Sequence, residues 1–429
     1  MILIRICKLE IKPRWMMRVC YHGSSFGSGS CAPMPYPVCK TWLSGAAACP
    51  PLNRRDFVSA ALGLTVACQG ALGAKPPLDR PRIAFFAPNS EGNTYWPQVF
   101  RIMGLVAQSL GFDFLPYSFG VDDRFARVRD SLQALSTEPR PHAVIASVVI
   151  GQSKGLLEAA QALGIPVFIL GPLFPAELPT IGGAPRRKYD RWAALFNWAE
   201  EQKGHALGRA LLQAAQQHKT HASDGLIHVV GVGGDQSWFG SGLRQAGLQR
   251  AVAEFPKAVL KQVVPTQWTQ REGRELTSRL LHRYPQASVV WAASDQLGAG
   301  AVQALIAAGK PPGKTAFTGG LDLSELGLDL VTQGQFVATA ASSLLSFAQV
   351  AVLVYDYLQG LDFAAELGKE IEFPTSVATL DNAQQHTGLS RCLPRIDFKA
   401  FSKAHNPGLA RYDFSFEAFR KAAKACAGS

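Results

Sequence analysis

Residues that could hold a small polar molecule are concentrated in short segments that directly follow apolar runs. The segment "PNSEGNTYW" (88–96) follows "RIAFFA" and brings Glu91, Asn93, Tyr95 and Trp96 together. Carboxylate and amide groups hydrogen-bond to hydroxyls, and aromatic rings offer flat faces on which a sugar-like ligand can stack. The combination predicts a ligand-binding loop, although an ordinary polar turn capped by Asn or Thr would use the same residue types.

Further candidates lie in the second half of the chain. Arg244, in "SGLRQAGLQRAV" (241–252), could donate two parallel hydrogen bonds to hydroxyls or a carboxylate, or could be a surface arginine of a helix. Asp295 follows "VVWAAS" and could accept from hydroxyls, cap its helix, or do both. Four weaker candidates stand near predicted strand ends, where a structural role is equally open: Trp238, Gln267, Trp268 and Asp322.

The spacing of apolar residues predicts the scaffold that would bring these segments together. From Arg82 onward, apolar runs alternate with stretches in which apolar residues recur at helical spacing, as in residues 96–110. Continuous apolar strands separated by helices indicate a parallel sheet covered on both faces. A polar gap interrupts the alternation, which resumes with the helix 200–216. The chain is therefore predicted to be an α/β protein with two doubly wound sheets in succession.

The predicted strands cover residues 82–87, 112–117, 142–150, 165–170, 226–232, 258–264, 288–294, 315–320, 336–341 and 370–380. The predicted helices cover residues 96–110, 123–135, 153–163, 200–216, 239–254, 270–283, 296–308 and 343–359.

The helix and strand that follow the second sheet fit a chain that returns to complete the first lobe. The predicted units are a first lobe of 82–197 plus 342–374, a second lobe of 198–341 plus 375–380, and an appended tail of 381–429. Three hinge crossings are expected, near residues 196–199, 340–343 and 373–376. Ligands bind beyond the carboxyl ends of the strands in open α/β sheets, so the strand-to-helix loops of both lobes should face one cleft. Residues of that cleft, Trp96 and Arg244 among them, are expected to add little to the stability of the unliganded protein.

The distribution of charge does not favour a nucleic-acid partner. The formal net charge is +11, but residues up to Ala74 hold eight Lys/Arg against two Asp/Glu, and residues from Arg391 hold eight against three. The part between these ends is close to neutral. A basic binding face is therefore not predicted.

The segment "NRRDFVSAALGLTVACQGALGA" (53–74) resembles a twin-arginine export signal, with paired arginines, a moderately apolar stretch and small residues at its end. A buried or amphipathic helix that begins with two arginines is the alternative. The preceding residues 1–52 are expected to be an unstructured leader or the product of a mis-assigned start codon. "TVAC" loosely resembles a lipoprotein cleavage box, which leaves a lipid anchor at Cys68 open. The predicted location is the periplasm, where Cys392 and Cys426 could form a disulfide that staples the tail.

Residues 82–380 resemble the type I periplasmic binding proteins, the ribose- and galactose-binding class, and within it the periplasmic receptors for autoinducer-2. The resemblance rests on residues 88–96 and 241–252 and on "WAASDQLGAGAVQALIAAG" (291–309), the most specific of the three. It implies two doubly wound lobes joined by a three-crossing hinge. The resemblance also implies ligand contacts at Glu91, Asn93, Trp96, Arg244 and Asp295, and at Gln267 or Trp268 in "PTQWTQREGREL" (265–276).

The resemblance to the autoinducer-2 receptors departs at two strands. "FVATAA" (336–341) lacks the arginine of those receptors, and "FILGPL" (168–173) has glycine and proline in place of an asparagine amide. The loss of one of two cationic donors does not favour capture of an anionic borate diester. The resemblance therefore predicts the fold of this chain more firmly than it predicts the ligand.

The function expected on this basis is capture of a small polar ligand, a sugar, polyol or sugar-like signal, for an ABC importer. The alternative is a receptor that presents its closed form to a membrane histidine kinase. A monomer is expected.

Catalysis and DNA binding are disfavoured by the motifs. "GVGGDQSWFG" (231–240) does not complete GxGxxG, and the sequence contains no GxSxG, HExxH or GKS/T motif. The nine histidines lack metal-ligand spacing, so no catalytic residue, metal or cofactor is predicted. An enzyme on the same scaffold remains a remote alternative. A repressor of related fold would need a helix-turn-helix in the place that the export signal occupies.

Overall fold

The computed structural model describes residues 78–89, 95–120 and 123–423. The predicted leader and export signal, Cys68, Glu91, Asn93 and Cys426 lie outside the described residues. Within the part of the chain that the structure describes, none of the helices combines the length and apolar character that a membrane crossing requires.

Twelve strands form a six-stranded sheet, a four-stranded sheet and a two-stranded ribbon in the described residues. They are β1 (Arg82–Asn89), β2 (Asp113–Gly120), β3 (Ala143–Ser147), β4 (Val167–Leu170), β5 (Trp192–Trp198), β6 (Ile227–Val232), β7 (Ala258–Val264), β8 (Val289–Ala292), β9 (Phe317–Thr318), β10 (Thr339–Ala341), β11 (Glu370–Phe373) and β12 (Ser376–Ala378). The first sheet has the order β11-β5-β4-β3-β1-β2 and the second β7-β6-β8-β9, and all their pairings are parallel. The ribbon β10-β12 is antiparallel.

Helices connect these strands and cover the sheets. They are α1 (Tyr95–Leu110), α2 (Arg124–Ser136), α3 (Ser153–Leu163), α4 (Leu178–Ile181), α5 (Glu200–Gln217), α6 (Phe239–Ala253), α7 (Gln270–Arg283), α8 (Asp295–Ala307), α9 (Glu325–Thr332), α10 (Leu345–Leu358), α11 (Ala364–Leu367), α12 (Ala383–Cys392) and α13 (Phe416–Ala422), with 3-10 turns at Leu393–Arg395 and Phe398–Phe401. Every predicted helix occurs, with ends within two residues of the prediction. The predicted class, two parallel-sheet α/β lobes, is confirmed.

Local sequence explains where several of these helices begin. The Asp123 carboxylate accepts hydrogen bonds from the backbone N–H groups of Phe125 and Ala126 at the start of α2. Thr269 and Glu272 form a reciprocal capping box at the start of α7. Such caps satisfy N–H groups that have no partner inside the helix, and so they fix the first turn at the carboxyl end of the preceding strand.

Each sheet is buried on both faces, as parallel sheets require. In the first lobe, α1 and α10 cover one face, and α2 and α3 cover the other. The second sheet packs between α5 and α6 on one side and α7 and α8 on the other, around the buried Trp291. The core of each lobe thus holds its strand ends, and the loops that follow them, in fixed positions.

One strand of the first sheet was not predicted. Residues 171–199 were interpreted as a polar gap, yet β5 ("WAALFNW") lies inside the sheet between β4 and β11 and is buried along almost its whole length. The charged stretch "PRRKYDR" directly before β5 makes the region look like a surface loop. A short central strand flanked by charges is hard to distinguish from a loop by composition.

The last predicted strand, 370–380, is two strands in different sheets. β11 pairs with β5 in parallel, whereas β12 pairs with β10 in antiparallel orientation. Pro374 lies between them and has no N–H to continue a ladder, so the chain leaves the first sheet there. The chain therefore passes between the lobes after β5, after β10 and between β11 and β12, as the three-crossing hinge requires. The residue boundaries of the lobes stay a prediction.

The residues that follow β12 contact both lobes. Ala383, at the start of α12, packs with Leu328 and Val331 of α9 in the second lobe. The chain then enters the core of the first lobe, where Phe398, Phe401 and Phe419 are buried with side chains of α1 and α10. We call residues 383–423 the bridging tail.

A buried carboxylate of the first lobe fixes the bridging tail. Asp356 of α10 is fully buried and accepts hydrogen bonds from the Ser402 hydroxyl, from the backbone N–H groups of Lys403 (2.7 Å) and Ala404 (3.3 Å), and from the Tyr412 hydroxyl (2.8 Å). Cys392 is disulfide-bonded. It is the sole cysteine of residues 78–423, so its partner lies outside the described residues. Its pairing with Cys426 stays a prediction.

Candidate functional site

A cavity of about 120 Å³ lies where the carboxyl ends of strands from both lobes meet. Pro88, Ser147, Leu170 and Trp198, which stand at or near the ends of β1, β3, β4 and β5, line it from the first lobe. The second lobe contributes mainly polar and charged side chains and two tryptophans. The position agrees with the cleft expected for two facing α/β sheets.

Tyr95 and Trp96 form the first turn of α1 and line the cavity. The Trp96 ring also packs against the first core, with ring centroids 6.0 Å from Phe85 and 6.2 Å from Phe347. The two residues therefore lie at the boundary between core and cleft. Burial, with the nearby charge of Asp322 in the second lobe, raises the pKa of Tyr95 well above its ordinary value.

Trp238 and Trp268 form an aromatic wall on the second lobe. Their ring centroids lie 6.0 Å apart, and the guanidinium carbon of Arg244 lies 5.1 Å from the Trp238 ring and 5.7 Å from the Trp268 ring. Trp268 has a φ of 68°, which is rare for a bulky residue and is typical of functional positions. Its backbone N–H donates to the Thr266 hydroxyl at 3.0 Å, which helps to hold this conformation. The wall offers two flat faces close to a charged hydrogen-bond donor.

Arg244 is buried and belongs to a network of charges. Its Nε donates to Oε2 of Glu200 at 2.6 Å, and its Nη1 donates to the carbonyl oxygen of Ala293 at 2.6 Å. The other oxygen of Glu200 accepts from Nζ of Lys203 at 2.8 Å. Asp322 lies 4.0 Å from Arg244. The guanidinium is thus held in place at the cavity wall, with its charge balanced by Glu200.

Close contact between α5 and α6 brings this network together. A Cβ added at Gly204 would lie 1.9 Å from the carbonyl oxygen of Arg244, and one added at Gly247 would lie 2.0 Å from that of Glu201. Any larger residue at either position would push the helices apart. The two glycines therefore allow Glu200, in the first turn of α5, to reach Arg244.

Burial changes the protonation behaviour of these groups. It lowers the pKa of Lys203 to about 8, although Glu200 opposes the shift. Burial and the neighbouring Asp295 raise the pKa of Asp322 to about 8. For Glu200, burial acts to raise the pKa, but Arg244 and Lys203 outweigh it, and the pKa lies below its ordinary value. At neutral pH the network therefore holds two cations and one firmly ionised carboxylate.

Lys203 should make the stability of the protein depend on pH. Its pKa of about 8 in the folded state lies below the value of about 10.4 expected for the unfolded chain. The unfolded state therefore binds more protons between these values, and the free energy of unfolding should rise with pH across that window. Between pH 7.5 and 9.5, the wild type should gain about 2 kcal/mol relative to Lys203→Met, as measured by urea unfolding. Lys154→Met, at an exposed site on α3, is the control, and its free energy of unfolding should change with pH in the same way as that of the wild type. A constant difference between wild type and Lys203→Met would contradict the shift.

Two of the predicted site residues that the structure describes do not line the cavity. The carboxylate of Asp295 accepts from the N–H (2.9 Å) and hydroxyl (2.7 Å) of Ser324 and from the hydroxyl of Thr339 (2.6 Å). Its own N–H donates to Asp322 at 2.9 Å, so Asp295 positions Asp322 at the wall. Gln267 is exposed, and its N–H donates to Glu272. The ligand-binding roles of all the candidate residues remain predictions.

The cavity also contains charged residues that the sequence analysis did not identify. Glu200 and Lys203 are spaced three apart and share a helix face with the buried Leu207 and Leu211. Arg127 is buried on α2, four residues before the buried Ser131. The sequence did contain a signal for these residues: each is a charged residue at a position where the helical pattern calls for an apolar one. Charged residues at such positions are rarely buried without a function or a partner.

The sequence and the fold both match known proteins. The family model described as a periplasmic binding protein domain matches residues 83–362. None of the curated proteins matches the chain. A solved periplasmic sugar-binding protein from Pseudomonas fluorescens is similar, with a TM-score of 0.69 and 23% identity over 79% of this chain and 99% of that one.

Two further solved structures share the fold. An ABC transporter solute-binding protein from Bacillus halodurans, with bound myo-inositol, has a TM-score of 0.58 and 16% identity, covering 72% of this chain and 98% of that one. A protein from Burkholderia phytofirmans described as a twin-arginine translocation pathway signal protein has a TM-score of 0.58 and 20% identity, covering 72% of this chain and 92% of that one. At these identities the likeness shows a shared two-lobe α/β architecture.

Proposed function

The chain belongs to the periplasmic binding protein family, and we propose that it captures a sugar, polyol or similar small polar ligand in the cleft between its lobes and delivers it to an ABC importer. The observation that carries this proposal is the composition of the cavity wall. Aromatic rings from both lobes, at Trp96, Trp238 and Trp268, face a space that Arg244 also lines. Rings bind the C–H faces of a carbon chain, and the guanidinium donates to its oxygens.

Hinge closure gives this arrangement its function. A ligand that contacts both lobes binds the closed form more tightly than the open one, and it shifts the population toward closure by that difference in affinity. Tyr95 and Trp96 contribute from the first lobe, and Arg244 and the two tryptophans from the second. The importer can then distinguish loaded from empty protein by shape.

The proposal is tested by screening the purified full chain against sugars and polyols by thermal shift, with isothermal titration calorimetry for each hit and mass spectrometry of co-purified small molecules. Trp96→Ala should weaken binding of a hit about tenfold or more, because a buried aromatic anchor commonly contributes about 2 kcal/mol. It should also lower the melting temperature moderately, because the ring packs on Phe85 and Phe347. Phe125→Ala, at an exposed aromatic on α2, is the control and should change neither quantity. Unchanged affinity per folded molecule in Trp96→Ala would assign the ring to the core alone.

The alternative partner is a membrane histidine kinase, which would sense the same closed, ligand-bound form. The sequence resemblance also suggests a narrower ligand, autoinducer-2. Stimulation of a reconstituted importer's ATPase by the loaded protein supports transport, whereas stimulation of kinase autophosphorylation supports sensing. Autoinducer-2 in the presence of borate belongs in the ligand screen for this reason. A binding role rather than catalysis is proposed in either case.

Export to the periplasm by the twin-arginine route is proposed from the segment 53–74, and the likeness to the Burkholderia phytofirmans protein supports it. Fractionation of cells that lack the twin-arginine machinery tests the route, since retention of the precursor in the cytoplasm is expected.

Metabolic labelling with palmitate tests a lipid anchor at Cys68.

A further inference from the structure

The first lobe places a second arginine at the cavity, and among the described residues it has no ion-pair partner. Arg127 of α2 lines the cavity and is 4% exposed. Its Nη2 donates to the carbonyl oxygen of Ser147 at 2.7 Å, while its Nε is buried and has no hydrogen-bond partner among the residues that the structure describes. Within the described residues no carboxylate lies within ion-pair distance of this guanidinium.

Arg244 shows what a balanced arginine in the same cavity looks like. It lies 2.6 Å from Glu200, and two backbone carbonyl groups accept from it. The carboxylate that acts on Arg127 from a distance is Asp235. Both oxygens of Asp235 accept from Ser237, one from its N–H at 2.9 Å and the other from its hydroxyl. Asp235 therefore forms these hydrogen bonds within its own loop, and it acts on Arg127 from beyond ion-pair distance.

A buried cation without a close counter-charge is costly, because burial removes water, and among the described residues no carboxylate lies within ion-pair distance of Arg127 to replace it. Desolvation lowers the pKa of Arg127 to about 10, so the group still carries its charge at neutral pH. Neutral hydroxyls can accept a hydrogen bond from it but cannot cancel the charge. An anionic group of the ligand can do both.

We propose that the ligand is a sugar acid, an aldonic or uronic acid, whose carboxylate binds Arg127 while its hydroxyl-bearing carbons lie between Trp96 and the Arg244 side of the cleft. This inference rests on the proposed function and narrows its ligand class. It makes Arg127 the residue that selects for the acid over the corresponding neutral sugar or polyol.

A carboxylate fits this site better than a phosphate does. Glu200 and Asp235 line the same cavity and would repel a dianion more strongly than a monoanion. One guanidinium that lines the cavity matches the single charge and planar geometry of a carboxylate. The raised pKa of Asp322 further reduces the negative charge that a monoanion would meet at neutral pH.

The test is calorimetry on the full chain with matched probes: D-galacturonate against D-galactose, and D-gluconate against D-glucitol. At least one acid should bind ten- to a hundredfold more tightly than its neutral counterpart, since a hydrogen bond to a charged group is worth about that much. Arg127→Met should remove this preference, with the affinity for the acid falling at least tenfold more than the affinity for the neutral probe. Arg129→Met is the matched control: it lies on the same helix with a mostly exposed side chain and should leave both affinities unchanged.

Two further measurements keep the inference testable if Arg127→Met folds poorly. The preference of the wild type for acids needs no variant, and Arg127→Lys retains the cation and should retain part of the preference. Equal or tighter binding of the neutral probes by the wild type would overturn the inference, as would preferential binding of D-glucose 6-phosphate. An equal loss of acid and neutral affinity in a folded Arg127→Met would do the same. If no probe of either kind binds, the proposed capture of sugars and polyols fails, and the inference fails with it.

Discussion

Arg244→Ala should abolish measurable ligand binding and also lower the free energy of unfolding of the unliganded protein by about 3 kcal/mol or more. The binding loss follows from removing a charged donor at the cavity wall. The stability loss follows from burial, because the variant leaves Glu200 in the interior with Lys203 as its remaining charged partner among the described residues. Calorimetry with a ligand identified by screening, and urea unfolding without it, measure the two effects.

The chain offers a matched control for this variant. Arg250 lies on the same helix, and its Nη1 is 2.6 Å from Oε1 of Glu201, as Nε of Arg244 is 2.6 Å from Oε2 of Glu200. The Arg250 pair is exposed, however, and exposed ion pairs contribute about 0–1 kcal/mol. Arg250→Ala should therefore change stability little and binding not at all. Similar unfolding curves for the two variants would show that Arg244 is not part of a buried network.

This expectation replaces the one drawn from the sequence, in which a cleft arginine would contribute little to the unliganded fold. The structure shows that Arg244 is 7% exposed and connects α5, α6 and the loops after β8 and β9. A residue at a cavity wall can therefore also hold the wall together. Sequence alone could not distinguish these roles, because the partner Glu200 lies 44 residues away.

Asp356→Ala should cost about 3–5 kcal/mol of stability and release the bridging tail to protease. The variant leaves two backbone N–H groups and two hydroxyls of the tail without their acceptor, and each unsatisfied buried group costs about 1–3 kcal/mol. Water entering the vacated space would offset part of that sum. Urea unfolding and limited proteolysis, followed by mass spectrometry of fragments from residues 393–423, measure the two outcomes.

Two variants calibrate this result. Tyr412→Phe removes one of the donors and should cost about 1 kcal/mol. Asp329→Ala, at an exposed aspartate of α9, should change stability by less than about 0.5 kcal/mol. If Asp356→Ala behaves like Asp329→Ala, the tail is held by its apolar side chains alone.

Periodicity predicted the fold well wherever an element was long or fully apolar. Helix α7 occurs at the predicted residues, and the fully buried strand β3 lies inside the predicted range 142–150, because amphipathic spacing and continuous burial both follow from a covered parallel sheet. β5 was missed because charges flank a short apolar run. The split of 370–380 into β11 and β12 could have been foreseen from Pro374, which interrupts the run at the point where the chain changes sheets.

The candidate site was predictable in part. Trp96, Trp238, Trp268 and Asp322 follow strand ends, Arg244 lies in the second turn of α6 within a motif of the resembled class, and the topology brings all of them to the cavity. Asp295 follows a strand end too, but its short side chain points along the loop to Ser324 and Thr339, a direction that depends on tertiary contacts. Arg127 and Lys203 lie one turn inside their helices, where sequence position alone does not distinguish a cavity residue from a core residue.

The bridging tail changes what opening the cleft involves. In a protein whose lobes are joined only at a hinge, the lobes can rotate apart freely, and the ligand-free form samples many angles between them. Here one chain segment starts on α9 in the second lobe and ends in the core of the first, so wide angles require α12 to slide or detach. The empty form is thereby confined to a narrower range of angles. A ligand then loses less of its binding free energy to closing the lobes, and the gain in affinity arises without any additional contact to the ligand.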